Sequence, residues 1–371
     1  MSDLTPESTP ADCQAAVFVE ANRPLELRRF SLPTLEAGEA IVRVECCTIC
    51  GSDLHTVSGS RTEPAPSILG HEILGVVAAV GDPPLTDVAG QPLRPGDRVT
   101  WATPISCGQC DRCRRGWRQK CRSLAKYGHA LAEGRAALSG GLAEFVLLRR
   151  GSAVVRVREE LPAEILCPAN CATATVCAAY RLAGSLEDRS VLILGAGMLG
   201  LTAAALARSH NASLVAVCDA SAPRLQRARQ FGAAALINWT PDLSDWKREL
   251  ASQAGTDAFD VVVELSGAAE AVEAAIAVAD VAGKVLLVGT VMKSRSVSFD
   301  PESIVRRCLS VHGIHNYAPQ DLMAAVAFLT QFGSEYPFAE LVERTFTLSE
   351  INQAIALARE TRPVRIAIRP E

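Results

Sequence analysis

The chain contains no run of about 18 uninterrupted apolar residues, the length a membrane-crossing helix needs, so no segment of its 371 residues reads as a transmembrane span. An excess of one charge sign is missing too. With 37 basic and 41 acidic residues the formal net charge is −4, which argues against an extended nucleic-acid footprint and against a surface drawn to anionic lipid. The segment Met1 to Cys13 holds Pro6 and Pro10 but no apolar core, so it reads as a short frayed tail rather than a secretory signal, and a cytoplasmic location is expected. No internal repeat and no low-complexity tract is present. What remains is a soluble chain whose expected ligand is a small molecule.

The length exceeds one ordinary core and fits two domains, and the 49% apolar content is enough to fill both. Thirteen cysteines cannot all pair as disulfides, and their spacing points instead to metal thiolates.

From Ala15 to about Val157 the pattern is one of short β-like runs broken by Gly and Pro, at Ala16–Phe18, Ala40–Cys46, Gly75–Val80, Arg98–Trp101, Ala143–Leu148 and Ala153–Val157. The period turns helical over Pro168–Ala183. Apolar strands then follow at Val191–Leu194, Leu214–Val217, Phe259–Glu264 and Lys284–Val288, separated by Ala-rich helical stretches, an alternation that signals βαβ units in a parallel sheet. Helices near Leu322–Phe332 and Leu348–Arg359 and a strand at Val364–Ile368 are too few for a third domain, so they are expected to complete the first.

Three motifs carry chemistry. Thr48-Ile49-Cys50-Gly51-Ser52-Asp53-Leu54-His55 and the later Gly70-His71-Glu72 gather a thiol, hydroxyls, two imidazoles and carboxylates in one window, the makings of a zinc site with a proton path. Cys107, Cys110, Cys113 and Cys121 place four thiols in fifteen residues, for which a closed, structural tetrahedral zinc is the simplest explanation. Arg112, Arg114, Arg115, Arg118, Lys120 and Arg122 would offset the negative charge of such a centre.

The third is Gly195-Ala196-Gly197-Met198-Leu199-Gly200, which follows the strand Val191–Leu194 and opens the helix Leu201–Arg208. Its glycines permit a tight turn, close backbone approach to a pyrophosphate and close helix packing. Asp219 ends the next strand nineteen residues after Gly200, where a carboxylate can bind ribose hydroxyls and repel a 2′-phosphate, so NAD is expected over NADP. Arg224 could flank the adenosine.

Together these marks resemble the zinc-dependent medium-chain alcohol dehydrogenases over essentially the full length. The resemblance implies an α/β chain: a GroES-like, mainly β catalytic domain over 1–165 and 305–371, with a structural-zinc lobe at about 104–125, and a Rossmann doubly wound parallel-sheet domain over 166–304. It implies two zincs per chain, NAD, a small alcohol or aldehyde substrate, and a homodimer or homotetramer, with no nucleic-acid or membrane partner. In the family the catalytic zinc takes a cysteine, a histidine and a third ligand from the helix before the nucleotide domain. Here those are Cys50, His71 and one of Cys167, Cys171 and Cys177. Family members often place the third ligand four residues before a Thr on one helical face, which selects Cys171 with Thr175 and leaves Cys167 in reserve.

Such a ligand set leaves a fourth position open to a substrate oxygen. By the family pattern Ser52 takes the hydroxyl proton, His55 exchanges it with solvent, Asp53 orients His71, and Glu72 approaches the metal when ligands exchange. Thr175, Val288 and Thr290 fall near the nicotinamide carboxamide, as do the turns Leu265-Ser266-Gly267 and Val288-Gly289-Thr290. Cys46 and Cys47 read as core or strand-face residues, and Cys13, Cys218 and Cys308 as buried thiols.

A finer resemblance, to dehydrogenases associated with phosphonate catabolism, rests on Arg61-Thr62-Glu63-Pro64, on Cys167-Pro168-Ala169-Asn170-Cys171-Ala172-Thr173-Ala174-Thr175 and on Gly313-Ile314-His315-Asn316-Tyr317. It implies a phosphonate-bearing substrate met by Arg61. Two other classes compete: a zinc-free quinone or enoyl-type reductase on the same framework, and a zinc-stabilised binding protein without catalysis. They require no zinc and one zinc per chain, respectively.

Overall fold

The computed structural model describes residues 10–158 and 161–370. It divides into two compact units, one of residues 1–174, 316–333 and 338–371, the other of residues 175–315 and 334–337. No helix of the described residues is long and apolar enough to cross a membrane.

The first unit is built on a mainly antiparallel sheet that starts from Ala40–Thr48 and Glu72–Val80, paired over Ala40↔Val80 to Thr48↔Glu72. Alternation explains why it folds so: Val42 and Val44 of one strand and Ile73 and Val77 of the other are all buried. Arg98–Ile105 extends the sheet on one side, and Arg365–Arg369 with Val342–Thr347 on the other. The pairs Thr48↔Ala367 and Cys47↔Ile368 thus bring the end of the chain beside Cys50. A second small sheet of Glu26–Ser31, Asp12–Phe18 and Ser67–Ile68 packs on the same core, which includes Trp101 and Tyr127. The expected polar tail to Cys13 lies partly outside the described residues, and Cys13 itself is a buried strand residue.

The second unit carries a six-stranded, all-parallel sheet in the order Ala235–Asn238, Leu214–Asp219, Ser190–Leu194, Phe259–Glu264, Ala279–Leu287, Ser310–Gly313. Its first strand lies at the centre and the order reverses there, between Ser190–Leu194 and Phe259–Glu264. That is the doubly wound arrangement, with its ligand crevice at the reversal point. Ala235–Asn238 and Ser310–Gly313 have no counterpart among the strands read from the sequence, being only four residues each. Because Ser310–Gly313 pairs with Ala279–Leu287, residues 305–315 belong with the parallel sheet rather than with the first domain.

Candidate active site and metal centres

Cys50 caps the short helix Gly51–Val57 at the end of the central strand. Asp53 fixes its position: the Cys50 N–H donates to Asp53 Oδ2 at 2.8 Å, and the Gly70 N–H donates to Asp53 Oδ1 at 3.2 Å. One buried carboxylate therefore ties both segments that carry candidate ligands. His71 Nδ1 stands 3.4 Å from that same Oδ1, longer than a well-formed hydrogen bond, so Asp53 faces the ring nitrogen that a metal held at Nε2 would leave protonated. Gly70 adopts φ +86°, and a Cβ there would come within 2.7 Å of Cys47 Sγ, so the turn that aims His71 requires glycine.

Cys171 does not lie on a helix face shared with Thr175. Pro168 starts a 3-10 turn over Cys167–Asn170, Cys171 breaks it at φ −133° and ψ −82°, and the α-helix begins only at Ala172. Asn170 sets the break in place, its side-chain amide donating to the carbonyls of His71 at 2.9 Å and Trp101 at 2.8 Å. Cys167 is buried and donates its thiol to the Cys46 carbonyl at 3.1 Å, and Cys177 is buried within the helix.

His71 Nε2 lies 3.5 Å from Cys171 Sγ and 3.5 Å from Ser52 Oγ. Donor atoms of Cys50, His71, Glu72 and Cys171 all fall within 4.8 Å of one another. A tetrahedral zinc, about 2.3 Å from sulfur and about 2.0 Å from nitrogen, sets such donors about 3.6 Å apart, so the residues present fit that ion. The Cys50 thiol is held well below its ordinary pKa, first by a hydrogen bond from Cys171 and then by Arg365 and His71, against the opposing effect of burial. Thiolate character is thus favoured at Cys50. Ser52 is half-buried, and His55 is exposed on the same helix.

Arg365, absent from the sequence reading, completes this site. Its Nε and Nη2 donate to Glu72 Oε2 and Oε1, each at 2.7 Å, and Thr48 Oγ1 donates to Oε2 at 2.6 Å. Nη2 also reaches Cys50 Sγ at 3.7 Å. Burial pushes the Glu72 pKa up, and the guanidinium only partly offsets this. Glu72 is thus gripped by Arg365 while one of its oxygens stays within the donor cluster. No local pattern marks Arg365; its signal is the register that sets the last strand beside Thr48.

The second cluster is Cys107, Cys110, Cys113 and Cys121, with sulfur separations of 3.4 Å for Cys107–Cys121 and 4.0 Å for Cys107–Cys113 and Cys110–Cys121. Tetrahedral thiolates on zinc stand about 3.8 Å apart, which these distances bracket. The Cys121 thiol is brought down to about 6, its burial outweighed by the Cys107 N–H and by Ser123. Among the surrounding cations, Arg122 and Arg115 pair with Asp111, and Arg112 Nη1 donates to the Lys120 carbonyl at 3.0 Å.

In the parallel sheet, Gly195 sits at φ +109° and its N–H donates to the Cys218 carbonyl at 2.8 Å. A Cβ at Gly200 would lie 1.8 Å from the Gly195 oxygen, whereas at Gly197 it would meet nothing within 4 Å. The turn is therefore closed behind and open in front, where the helix Met198–Ser209 starts. This is the cradle a pyrophosphate needs, and the residues fit the dinucleotide. Met198 is buried and Leu199 half-buried behind it.

Asp219 ends its strand with Oδ2 accepting the Ala196 N–H and Oδ1 the Ser221 N–H, each at 2.7 Å. Arg224 is exposed in the first turn of the next helix. The turns after Glu264 and Leu287 are knitted by Glu264: Oε1 accepts the Ser266 and Gly267 N–H groups at 2.7 Å, and Oε2 accepts the Thr290 hydroxyl at 3.1 Å. Val288 is buried, Thr290 exposed and Thr175 half-buried.

Arg61 pairs with Glu63, Nη2 to Oε1 at 2.6 Å. One expectation changes. Cys308 is exposed, at φ +52°, because it follows the end of the helix Pro301–Arg306 instead of entering a core.

The alcohol dehydrogenase GroES-like domain matches residues 36–159, and the zinc-binding dehydrogenase domain matches residues 199–331. The chain is 30% identical to 5-exo-hydroxycamphor dehydrogenase of Pseudomonas putida over 93% of its own length and 95% of that protein's. It is likewise 30% identical to L-threonine 3-dehydrogenase of Deinococcus deserti over 81% and 83%. A crystal structure of alcohol dehydrogenase from Thermotoga maritima superposes with a TM-score of 0.90, at 26% identity, covering 97% of this chain and all of the other. The chain belongs to the zinc-dependent medium-chain alcohol dehydrogenase family.

Proposed function

We propose that this protein is a zinc- and NAD-dependent alcohol dehydrogenase, with Cys50, His71 and Cys171 holding a catalytic zinc and Cys107, Cys110, Cys113 and Cys121 a structural one. The observation that carries the reading is the convergence of Cys50, His71 and Cys171 from three separated segments, with Ser52 beside them. When bound, zinc supplies Lewis acidity toward an alcohol oxygen and NAD supplies the hydride acceptor.

The chain's own residues do the rest. Asp53 holds the Cys50 and Gly70 amides and so keeps both ligand segments in place. Ser52 Oγ would accept the substrate's hydroxyl proton as it gives up its own, and His55, exposed three residues on in the same helix, is the group placed to deliver a proton to solvent. Arg365 grips both oxygens of Glu72 beside the thiols. Gly197 admits the pyrophosphate, and Asp219 receives the adenosine ribose.

The Arg61–Glu63 pair favours an uncharged alcohol over the phosphonate-bearing one, since an anion would have to displace Glu63. Metal analysis with a screen of alcohols and aldehydes for change in NADH tests the whole reading. Two zincs per chain and NADH formed from an alcohol support it. No zinc would favour the quinone or enoyl-type reductase, and one zinc without turnover the binding protein. Faster turnover of a phosphonate alcohol than of its neutral match, lost in Arg61→Ala, would restore the anionic substrate.

A further inference from the structure

Asn170 is fully buried, and every polar group of its side chain is directed at the backbone around the metal-ligand cluster. Its Nδ2 donates to the carbonyls of His71 at 2.9 Å and Trp101 at 2.8 Å, and its Oδ1 accepts the Ile73 N–H at 3.3 Å. Two carbonyls against the nitrogen and one N–H against the oxygen fix which way the amide faces. The bonds to His71 and Ile73 fall on either side of Glu72, so one side chain holds the backbone before and after a residue of the donor cluster.

The main chain of Asn170 is held as well. Its carbonyl accepts the Tyr317 hydroxyl and, at 3.3 Å, the Thr103 hydroxyl, while the Tyr317 oxygen accepts the Thr103 N–H at 3.2 Å. That carbonyl belongs to the planar peptide unit leading into Cys171, so its orientation sets where the Cys171 backbone begins. Asn170 thus links His71, Glu72 and Cys171, three of the four residues of the cluster, without being one of them. No other side chain of its length carries two donors and an acceptor: a carboxylate has no proton to give, and a hydroxyl has one. Without the amide, buried backbone groups at His71, Ile73 and Trp101 lose this partner. Any shift that re-pairs them moves His71 relative to Cys171, whose donor atoms stand 3.5 Å apart.

We propose that Asn170 is a positioning residue of the metal site, holding His71 and Cys171 at the separation a zinc ion requires and so setting zinc affinity there. This rests on the catalytic-zinc reading and deepens it. Competition of the zinc-loaded full chain with a chromophoric zinc chelator tests it, with Cys171→Ser marking which zinc is which. In Asn170→Ala the zinc of Cys50, His71 and Cys171 should be held about 10–100-fold more weakly, the usual cost of removing a partner that orients a ligand. The zinc of Cys107, Cys110, Cys113 and Cys121 should be held as in wild type and is the internal control. Tyr317→Phe, which removes one bond to the Asn170 carbonyl and keeps the amide, should weaken the same zinc by a smaller factor, and it carries the test should Asn170→Ala fail to fold.

Wild-type zinc affinity at the catalytic site in either folded variant overturns the proposal. So does an equal weakening at both sites, the mark of a general loss of structure. A wild type that holds only the zinc of Cys107 to Cys121 would overturn the catalytic-zinc reading and this inference with it. Selective weakening in Asn170→Ala, from a wild type that forms NADH with no alcohol, would sink the dehydrogenase reading and leave Asn170 its role.

Discussion

Arg365 and Glu72 stand 293 residues apart in sequence, yet the guanidinium grips both carboxylate oxygens at 2.7 Å within the wall of the metal-ligand cluster. The pair is buried on both sides, with side-chain exposures of 7% and 0%. Removing one partner leaves the other charge uncompensated away from water. Arg365→Met should therefore destabilise the protein by about 3–5 kcal/mol, and Arg365→Met combined with Glu72→Leu should recover most of that loss. Urea denaturation of the three proteins decides it, and a single variant as stable as wild type would show that the pair serves the site without holding the fold.

Ser52 Oγ lies 3.5 Å from His71 Nε2, close enough to the donor cluster to meet a hydroxyl bound there. Ser52→Ala should lower kcat by about 10²–10⁴-fold, the usual contribution of a positioned proton acceptor. Zinc content and NAD affinity should remain near wild type, because Ser52 holds neither group. A variant with unimpaired hydride transfer would remove Ser52 from the proton path.

The residues legible in the sequence are those whose geometry is set within a few positions of themselves. Cys107 to Cys121 lie on one small lobe, and Gly195 to Gly200 on one turn, so spacing alone places their atoms. Residues placed by tertiary contacts were not legible. Arg365 reaches Cys50 only through the pairing of the last strand with Ala40–Thr48, and Asn170 reaches His71 only because its turn lies against the start of Glu72–Val80. Cys171 lies between these cases. Its identity as a candidate came from the motif, but the break that aims it comes from Pro168 and from Asn170 hydrogen bonds to His71 and Trp101. The strands Ala235–Asn238 and Ser310–Gly313 are short and take their pairing from the sheet that receives them.

Asp219 connects the glycine turn to the end of the second strand by accepting the Ala196 N–H at 2.7 Å. The same carboxylate is placed to bind ribose hydroxyls and to repel a 2′-phosphate. In Asp219→Ala the preference for NAD over NADP should fall by about tenfold or more, equivalent to about 1.4 kcal/mol, read as the ratio of the two dissociation constants. An unchanged ratio would place ribose discrimination elsewhere.

Gly197 and Gly200 separate the two tasks of the glycine turn. A Cβ at Gly200 would collide with the Gly195 oxygen at 1.8 Å, a backbone atom that cannot swing aside. Gly200→Ala should therefore cost about 1–3 kcal/mol of stability, as overpacking does. Gly197 has φ −80° and open space where its Cβ would stand, so the alanine fits the folded chain without strain. Gly197→Ala should keep its stability within about 0.5 kcal/mol of wild type. It should nevertheless lose NAD affinity by about tenfold or more, because the open space is where the pyrophosphate must approach the backbone. Thermal unfolding and NADH fluorescence titration on the two variants give the outcome: normal NADH binding by a stable Gly197→Ala protein would mean that the dinucleotide does not use this cradle.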